Sequence, residues 1–246
     1  MVTRRELLGL LALGTLAALT GCGREDKITF PAPVPGSAAS YARSKMPTHR
    51  IALTIDDGYD PETVSAYVQL AHDSGLPITF DPIGKLAPIW EAQADKLKPL
   101  IEKGQVQIAN HTFNHLNLPA LSDSRVRSEI EHNEEWIEKT FGVTARPYLR
   151  PPSGLHDSRV DEIAGELGFT RILMWQGSFG DASTTTAPDL LKMAQESLLP
   201  GAIVVGHANV GTVTTMYPQI MEIIKSRNLV PSTLDEVFGT TRSKGA

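Results

Sequence analysis

An α/β fold, with βα units arranged around a parallel sheet or barrel, is what this 246-residue sequence predicts. Three observations predict it. From residue 51 onwards, short β-rich apolar runs alternate with helical patterns. The polar residues able to do chemistry keep phase with that alternation, falling at the carboxyl ends of the runs, where βα folds gather their chemistry. With 41% hydrophobic residues, the chain also has ample material for the core of one large domain plus appendages.

The first fifty residues stand apart from this pattern. Arg4 and Arg5 precede an apolar stretch, residues 7–19, that is too short to span a bilayer comfortably and reads as the h-region of a signal peptide. Leu19-Thr20-Gly21-Cys22 resembles a bacterial lipobox. The paired arginines resemble a twin-arginine export signal, with Leu7 where an aromatic is usual. Residues 1–21 are therefore expected to be removed. Lipid on Cys22 would then anchor the chain to the outer face of the cell membrane or in the cell envelope. Cys22 is the only cysteine, so no disulfide is available and the fold must rest on its core. Residues 22–48 contain Pro31, Pro33, Pro35 and a small-residue stretch, and they read as a tether. Packing of part of that segment as an N-terminal strand stays open. The main domain is expected over 49–240, with a tail at 241–246.

Within that domain the elements follow in order. Residues 51–55 form a strand, and residues 62–72 a helix started by Pro61. Residues 78–80 and 105–109 repeat the strand theme. A long amphipathic helix is expected over 122–140, capped by Ser122 or Asp123 and left before Gly142. Helical patterns recur at 157–167, 188–197 and 214–227, with apolar runs at 171–174 and 202–205 between them. No internal repeat stands out.

The most informative residues are Asp56 and Asp57 after the first run, with His111 and His115 after the run at 105–109. Asp57 and the two histidines make a donor set for a divalent metal, and the second carboxylate is left beside it. A structural site closes every ligand around the ion, whereas a hydrolytic site needs an open position and a neighbouring base. His111 and His115, read as helical, share one face about one turn apart and so reach one ion. Gly58 allows the backbone to turn tightly beside it. Arg150, Asp181 and His207 also fall at or beyond run ends. The net charge is −5 and no basic run could track a phosphate backbone, so nucleic acid is not an expected partner.

Five segments in order carry a resemblance. Thr54-Ile55-Asp56-Asp57-Gly58, His111-Thr112-Phe113-Asn114-His115, Arg150-Pro151-Pro152-Ser153-Gly154, residues 175–181 and Val205-Gly206-His207 resemble the five motifs of the polysaccharide deacetylases, the family with the NodB-like domain. The resemblance implies a distorted (β/α)7-type barrel, slightly smaller than the usual eightfold one. It implies that Asp57, His111 and His115 hold the metal, most commonly zinc. Asp56 would be the general base with Arg150 as its partner, and His207 the general acid with Asp181 as its partner. Ser153 would lend its backbone N–H to the oxyanion.

The function implied is removal of acetyl groups from an N-acetylated glycan such as peptidoglycan or a chitin-like polymer. An O-acetyl esterase, or a non-catalytic metal-containing glycan-binding lipoprotein, is the alternative. A monomer is expected. Three positions depart from the family pattern. Ile55 replaces a phenylalanine, Ser153 an aromatic, and Ala182 a tryptophan that walls the acetyl groove. Trp175 is expected to pack in the barrel wall.

Overall fold

The computed structural model describes residues 35–42 and 49–240. The described chain opens with β1 (Ala39–Tyr41). The first βα unit is β2 (Arg50–Asp57) and α1 (Pro61–Ser74), followed by β3 (Ile78–Pro82), the short α2 (Ala87–Glu91), α3 (Ala94–Glu102) and β4 (Val106–Ile108). Alternation continues through α4 (Asp123–Phe141), β5 (Tyr148–Leu149), α5 (Ser158–Glu166) and β6 (Arg171–Leu173). It ends with β7 (Gly177–Ser178), α6 (Ala187–Ser197), β8 (Ile203–His207), α7 (Tyr217–Ser226), β9 (Val230–Pro231) and α8 (Leu234–Phe238).

All strand pairs among the described residues are parallel. One sheet runs β4-β3-β2-β8-β7, with β9 against the start of β2, and the other runs β1-β6-β5. Two seams join them. The Asn110–Leu149 bridge, with the Arg150 N–H donating to Asn110 O at 2.8 Å, carries β4 onto β5. On the far side the Ile203 N–H donates to Ala42 O at 3.3 Å, carrying β8 onto β1. The product is the expected distorted barrel.

Strand periodicity divides β2 between two cores. Ile51, Leu53 and Ile55 pack with the residues of the surrounding helices, while Ala52 joins Ala109, Tyr148, Leu173, Ile203, Leu234 and Val237 in a separate inner cluster. The small residues leave room for Tyr148, whose hydroxyl donates to Asp235 at 2.9 Å and so ties the inner cluster to α8. Helix ends follow local chemistry. Asp60 caps α1 by accepting from the Thr63 N–H at 3.1 Å, Pro61 fixes its first turn, and Gly75 closes it in the left-handed region.

Two expectations need correction. The segment read as a tether contributes β1, whose Ala39, Ser40 and Tyr41 pair with Arg171, Ile172 and Leu173. Tyr41 holds it in place by packing edge-on against Phe238 at 5.1 Å, with the Arg171 guanidinium over both rings. The ordered domain therefore begins before residue 49. The helix expected from residue 214 begins at Tyr217, because residues 211–216 form a tighter 3₁₀ turn.

Candidate active site

Asp56 and Asp57 close β2. Consecutive strand side chains normally face opposite sides, but Asp57 leaves extended backbone at φ 69° and Gly58 follows at 111°. Both carboxylates consequently reach one centre. His111 Nε2 lies 3.6 Å from Asp56 Oδ2 and 3.4 Å from Asp57 Oδ1. Gly58 is required twice over, by its φ and because a Cβ there would stand 2.3 Å from Trp90 Nε1. That indole N–H donates to Asp57 O at 2.9 Å and fixes the turn from below.

His111 and His115 do not share a helix. Thr112 at φ 63° and His115 at φ 58° are left-handed, which a continuous α-helix of L-residues cannot hold. Side-chain acceptors take the place of helical hydrogen bonds. Asn110 Oδ1 accepts from the Thr112 N–H at 2.9 Å, and Glu129 on α4 accepts from the Asn114 N–H at 2.7 Å and from its side-chain amide at 2.9 Å. The tight loop nonetheless brings the two imidazoles together edge to face, with centroids 4.9 Å apart.

The donor set fits a small divalent cation. Asp57 Oδ1 is buried with no hydrogen-bond partner, and both His111 Nε2 and His115 Nε2 lie 3.4 Å from it. Ligands about 2.0–2.1 Å from a tetrahedral ion stand about 3.3 Å from one another, which is the spacing seen. His111 Nδ1–H donates to the Arg150 carbonyl at 2.7 Å, so Nε2 is the nitrogen turned to the centre. Charge agrees with geometry. Burial alone would lower the His111 pKa, but the Asp56 and Asp57 carboxylates and the Arg150 carbonyl raise it to about 9. Burial works against ionised Asp57, yet the nearby His111, helped by Asn209 and His115, holds its pKa well below the usual range. His115 shifts the other way, lowered by burial and then by the charge of His111. The excess negative charge that retains a proton on His111 is what a cation would balance.

Asp56 faces a second partner. Arg150, at the end of β5 and wholly buried, donates through Nη1 to both Asp56 oxygens at 3.1 and 3.0 Å and through Nη2 to Thr54 Oγ1 at 2.9 Å. On the neighbouring strand, His207 is the register partner of Asp56. Asp181, fully buried beyond β7, accepts from His207 Nδ1 at 3.0 Å and from the His207 backbone N–H at 3.2 Å. Burial disfavours the charged ring, but the Asp181 bond and the charges of Asp56, Asp181 and Asp57 outweigh it, and the His207 pKa is raised. Ser153 sits exposed at φ 54° in the 3₁₀ turn Pro152–Gly154 that follows Arg150. The structure thus gathers Asp56, Asp57, His111, His115, Arg150, His207 and Asp181 into one connected group. Cys22, the signal peptide and the tail lie outside the described residues.

Trp175 packs against two residues of the third motif. The Arg150 guanidinium stands 5.4 Å from its ring centroid, and a Cβ on Gly154 would meet its ring at 2.9 Å. Sequence reading also passed over Asp81. It pairs in register with Asp56 from β3, is fully buried, and neither of its oxygens has a hydrogen-bond partner. Burial pushes its carboxyl well above the usual range, with Asp56 adding to the shift and Arg150 opposing it, so the protonated form is favoured. A carboxylate inside an otherwise uncharged run, Ile78 to Ile83, is the available signal. Asn209 was missed as well, and no sequence signal marked it.

Known proteins resemble this chain in sequence and in fold. The polysaccharide deacetylase family model matches residues 43–172, more than half of the chain. A peptidoglycan-N-acetylglucosamine deacetylase of Bacillus cereus is 25% identical over 199 residues, covering 79% of this chain and 70% of its own. Among solved structures, the Bc1960 peptidoglycan N-acetylglucosamine deacetylase superposes with a TM-score of 0.74 at 23% identity, over 84% of this chain and 96% of that one. A family 4 pseudoenzyme from Bacillus anthracis superposes with a TM-score of 0.72 at 21% identity, over 82% and 69%. These last two speak to fold alone. Five ordered motifs, one barrel and one family model converge, and the chain belongs to the polysaccharide deacetylase family.

Proposed function

We propose that this chain is a metal-dependent hydrolase that removes acetyl groups from N-acetylated sugar polymers or oligomers, of the peptidoglycan or chitin-like kind, with zinc as its metal. One observation carries the proposal above the rest. Around a single His-His-Asp donor set stand a carboxylate held by a buried arginine and a histidine held by a buried carboxylate. A glycan-binding protein has no use for the last two pairs.

Zinc held by Asp57, His111 and His115 would supply a Lewis acid and a water of pKa near about 7. Asp56 accepts a proton from the attacking water as its oxygen adds to the acetyl carbonyl carbon. The Ser153 backbone N–H supports the negative oxygen that develops. As the C–N bond breaks, His207 delivers its proton through Nε2 to the departing nitrogen, leaving acetate and a free amine. Arg150 orients Asp56, and Asp181 keeps His207 charged and fixes Nδ1 as the inner nitrogen. Ala182, in place of the family's tryptophan, favours a wider or differently closed groove.

We further propose export and lipid attachment at Cys22, on the strength of the 19–22 sequence pattern. Anchored as a monomer, the domain would face glycans outside the membrane.

The test is acetate release across N-acetylglucosamine oligomers, peptidoglycan and O-acetylated polysaccharides, with and without chelator. Release from the N-acetylated substrates that is lost on chelation and restored by zinc supports the proposal. Release confined to O-acetyl substrates would replace it with an esterase, and none from any substrate with a binding protein.

A further inference from the structure

Asn209 lies two residues beyond His207, outside the donor set and outside both the Asp56–Arg150 and His207–Asp181 pairs. Its side-chain amide uses both ends. Nδ2 donates to Asp57 Oδ2 at 2.8 Å and to the Ala182 carbonyl at 3.3 Å. Oδ1 accepts from the Tyr59 N–H at 3.2 Å and more weakly from the Gly58 N–H at 3.4 Å. The orientation is forced. Turned over, the amide would set NH₂ against two N–H donors and oxygen against a carboxylate and a carbonyl.

Each bond bears on the metal ligand. Successive left-handed or open backbone angles at Asp57 and Gly58 aim the next two N–H groups into one concavity, and Oδ1 fills it. That arrangement supports a non-glycine residue at φ 69°, a strained conformation that persists only where surroundings hold it. Meanwhile Nδ2 occupies Oδ2. Oδ1 is left buried and without a partner, turned toward His111 and His115. The bond to Ala182 ties this turn to the loop that carries Asp181.

We infer that Asn209 is the positioning residue of the metal site: it pins Asp57 Oδ2 and the 57–59 turn so that Oδ1 alone is presented to the cation. The inference rests on the metal reading proposed above. Outer-shell partners of metal ligands typically contribute about 10–100-fold in metal affinity or activity.

Zinc affinity is measured by chelator competition on wild type and Asn209→Ala, alongside the absorption spectrum of the cobalt-loaded proteins and the melting temperature of the metal-free ones. Asn209→Ser serves the same test should the alanine variant lose its fold. The expected result is a zinc Kd at least about 10-fold weaker than wild type, an altered cobalt spectrum, and activity recovered by added zinc. Wild-type binding with an unchanged Kd and spectrum in the variants overturns the inference, even if melting falls, because that is a merely structural role. Absence of zinc binding by wild type itself would instead remove the metal reading on which it stands.

Discussion

Asp56 and His207 are register partners on adjacent parallel strands, β2 and β8, and each is held from behind by a buried residue of opposite charge. Parallel pairing in register makes their separation a property of the sheet rather than of loops. Loops supply the remainder. Arg150 and Asp181 arrive from the far ends of β5 and β7, and the donor set arrives from the turns after β2 and β4. The barrel fixes where Asp56 and His207 stand, and the turns at the ends of the strands bring Asp57, His111 and His115 to them.

The first prediction concerns pH. His207 must carry a proton to give one, and its raised pKa extends the protonated form upward in pH. Activity is therefore expected to fall as pH rises through that raised value. In Asp181→Asn the main group raising it is gone, so the alkaline limb of the kcat/KM profile should move to lower pH. A profile that stays in place would detach Asp181 from that role.

Arg150 tests the buried pair. Its removal strands Asp56 without its partner in a buried site, a change that typically costs about 3–5 kcal/mol. Arg150→Met should lower the unfolding free energy, measured by denaturant titration, by that amount and abolish acetate release. Arg150→Lys should restore most of the stability and little activity, because one ammonium cannot serve both Asp56 and Thr54 as the fork does.

Removing a ligand separates metal from fold. His115 is partly exposed and its loop is held by Asn110 and Glu129, not by the imidazole. His115→Ala is therefore expected to keep the melting temperature of the chelated wild type while losing zinc binding by isothermal titration. Equal zinc binding by variant and wild type would exclude His115 as a ligand.

The N-terminal strand makes a fourth test. A chain begun at residue 49 would leave the Arg171–Leu173 edge and Ile203 without the partners they have in β1 and Ala42. It should be less soluble and less stable than one begun before residue 35. Tyr41→Ala in the longer chain should cost about 1–3 kcal/mol, measured by urea unfolding.

Legibility in the sequence followed the range of the interactions involved. The runs at 51–55 and 202–205 were readable because burial on both faces of a parallel strand leaves continuous apolar residues. Strand-end residues were readable because their phase follows from that. The His111–His115 loop reads as helical from spacing, since its left-handed residues are a threonine and a histidine, and the bonds that shape it run from Thr112 to Asn110 and from Phe113 and Asn114 to Glu129, distant in sequence. The strand β1 has three residues and no period, and Phe238 and Arg171, which pack on Tyr41, lie far along the chain. Asp81 is brought beside Asp56 by strand register and Asn209 beside Asp57 by a turn, and spacing alone reveals neither.

In the proposed mechanism Asp56 and Asp57 divide the work, one moving a proton and the other holding the metal. Asp56→Asn tests it most directly, through acetate release from N-acetylglucosamine oligomers by zinc-saturated wild type and variant, with zinc content determined on the same samples. The account predicts equal zinc content and activity reduced about 10²–10⁴-fold. Equal activity of the two proteins, or loss of zinc from Asp56→Asn, would contradict it.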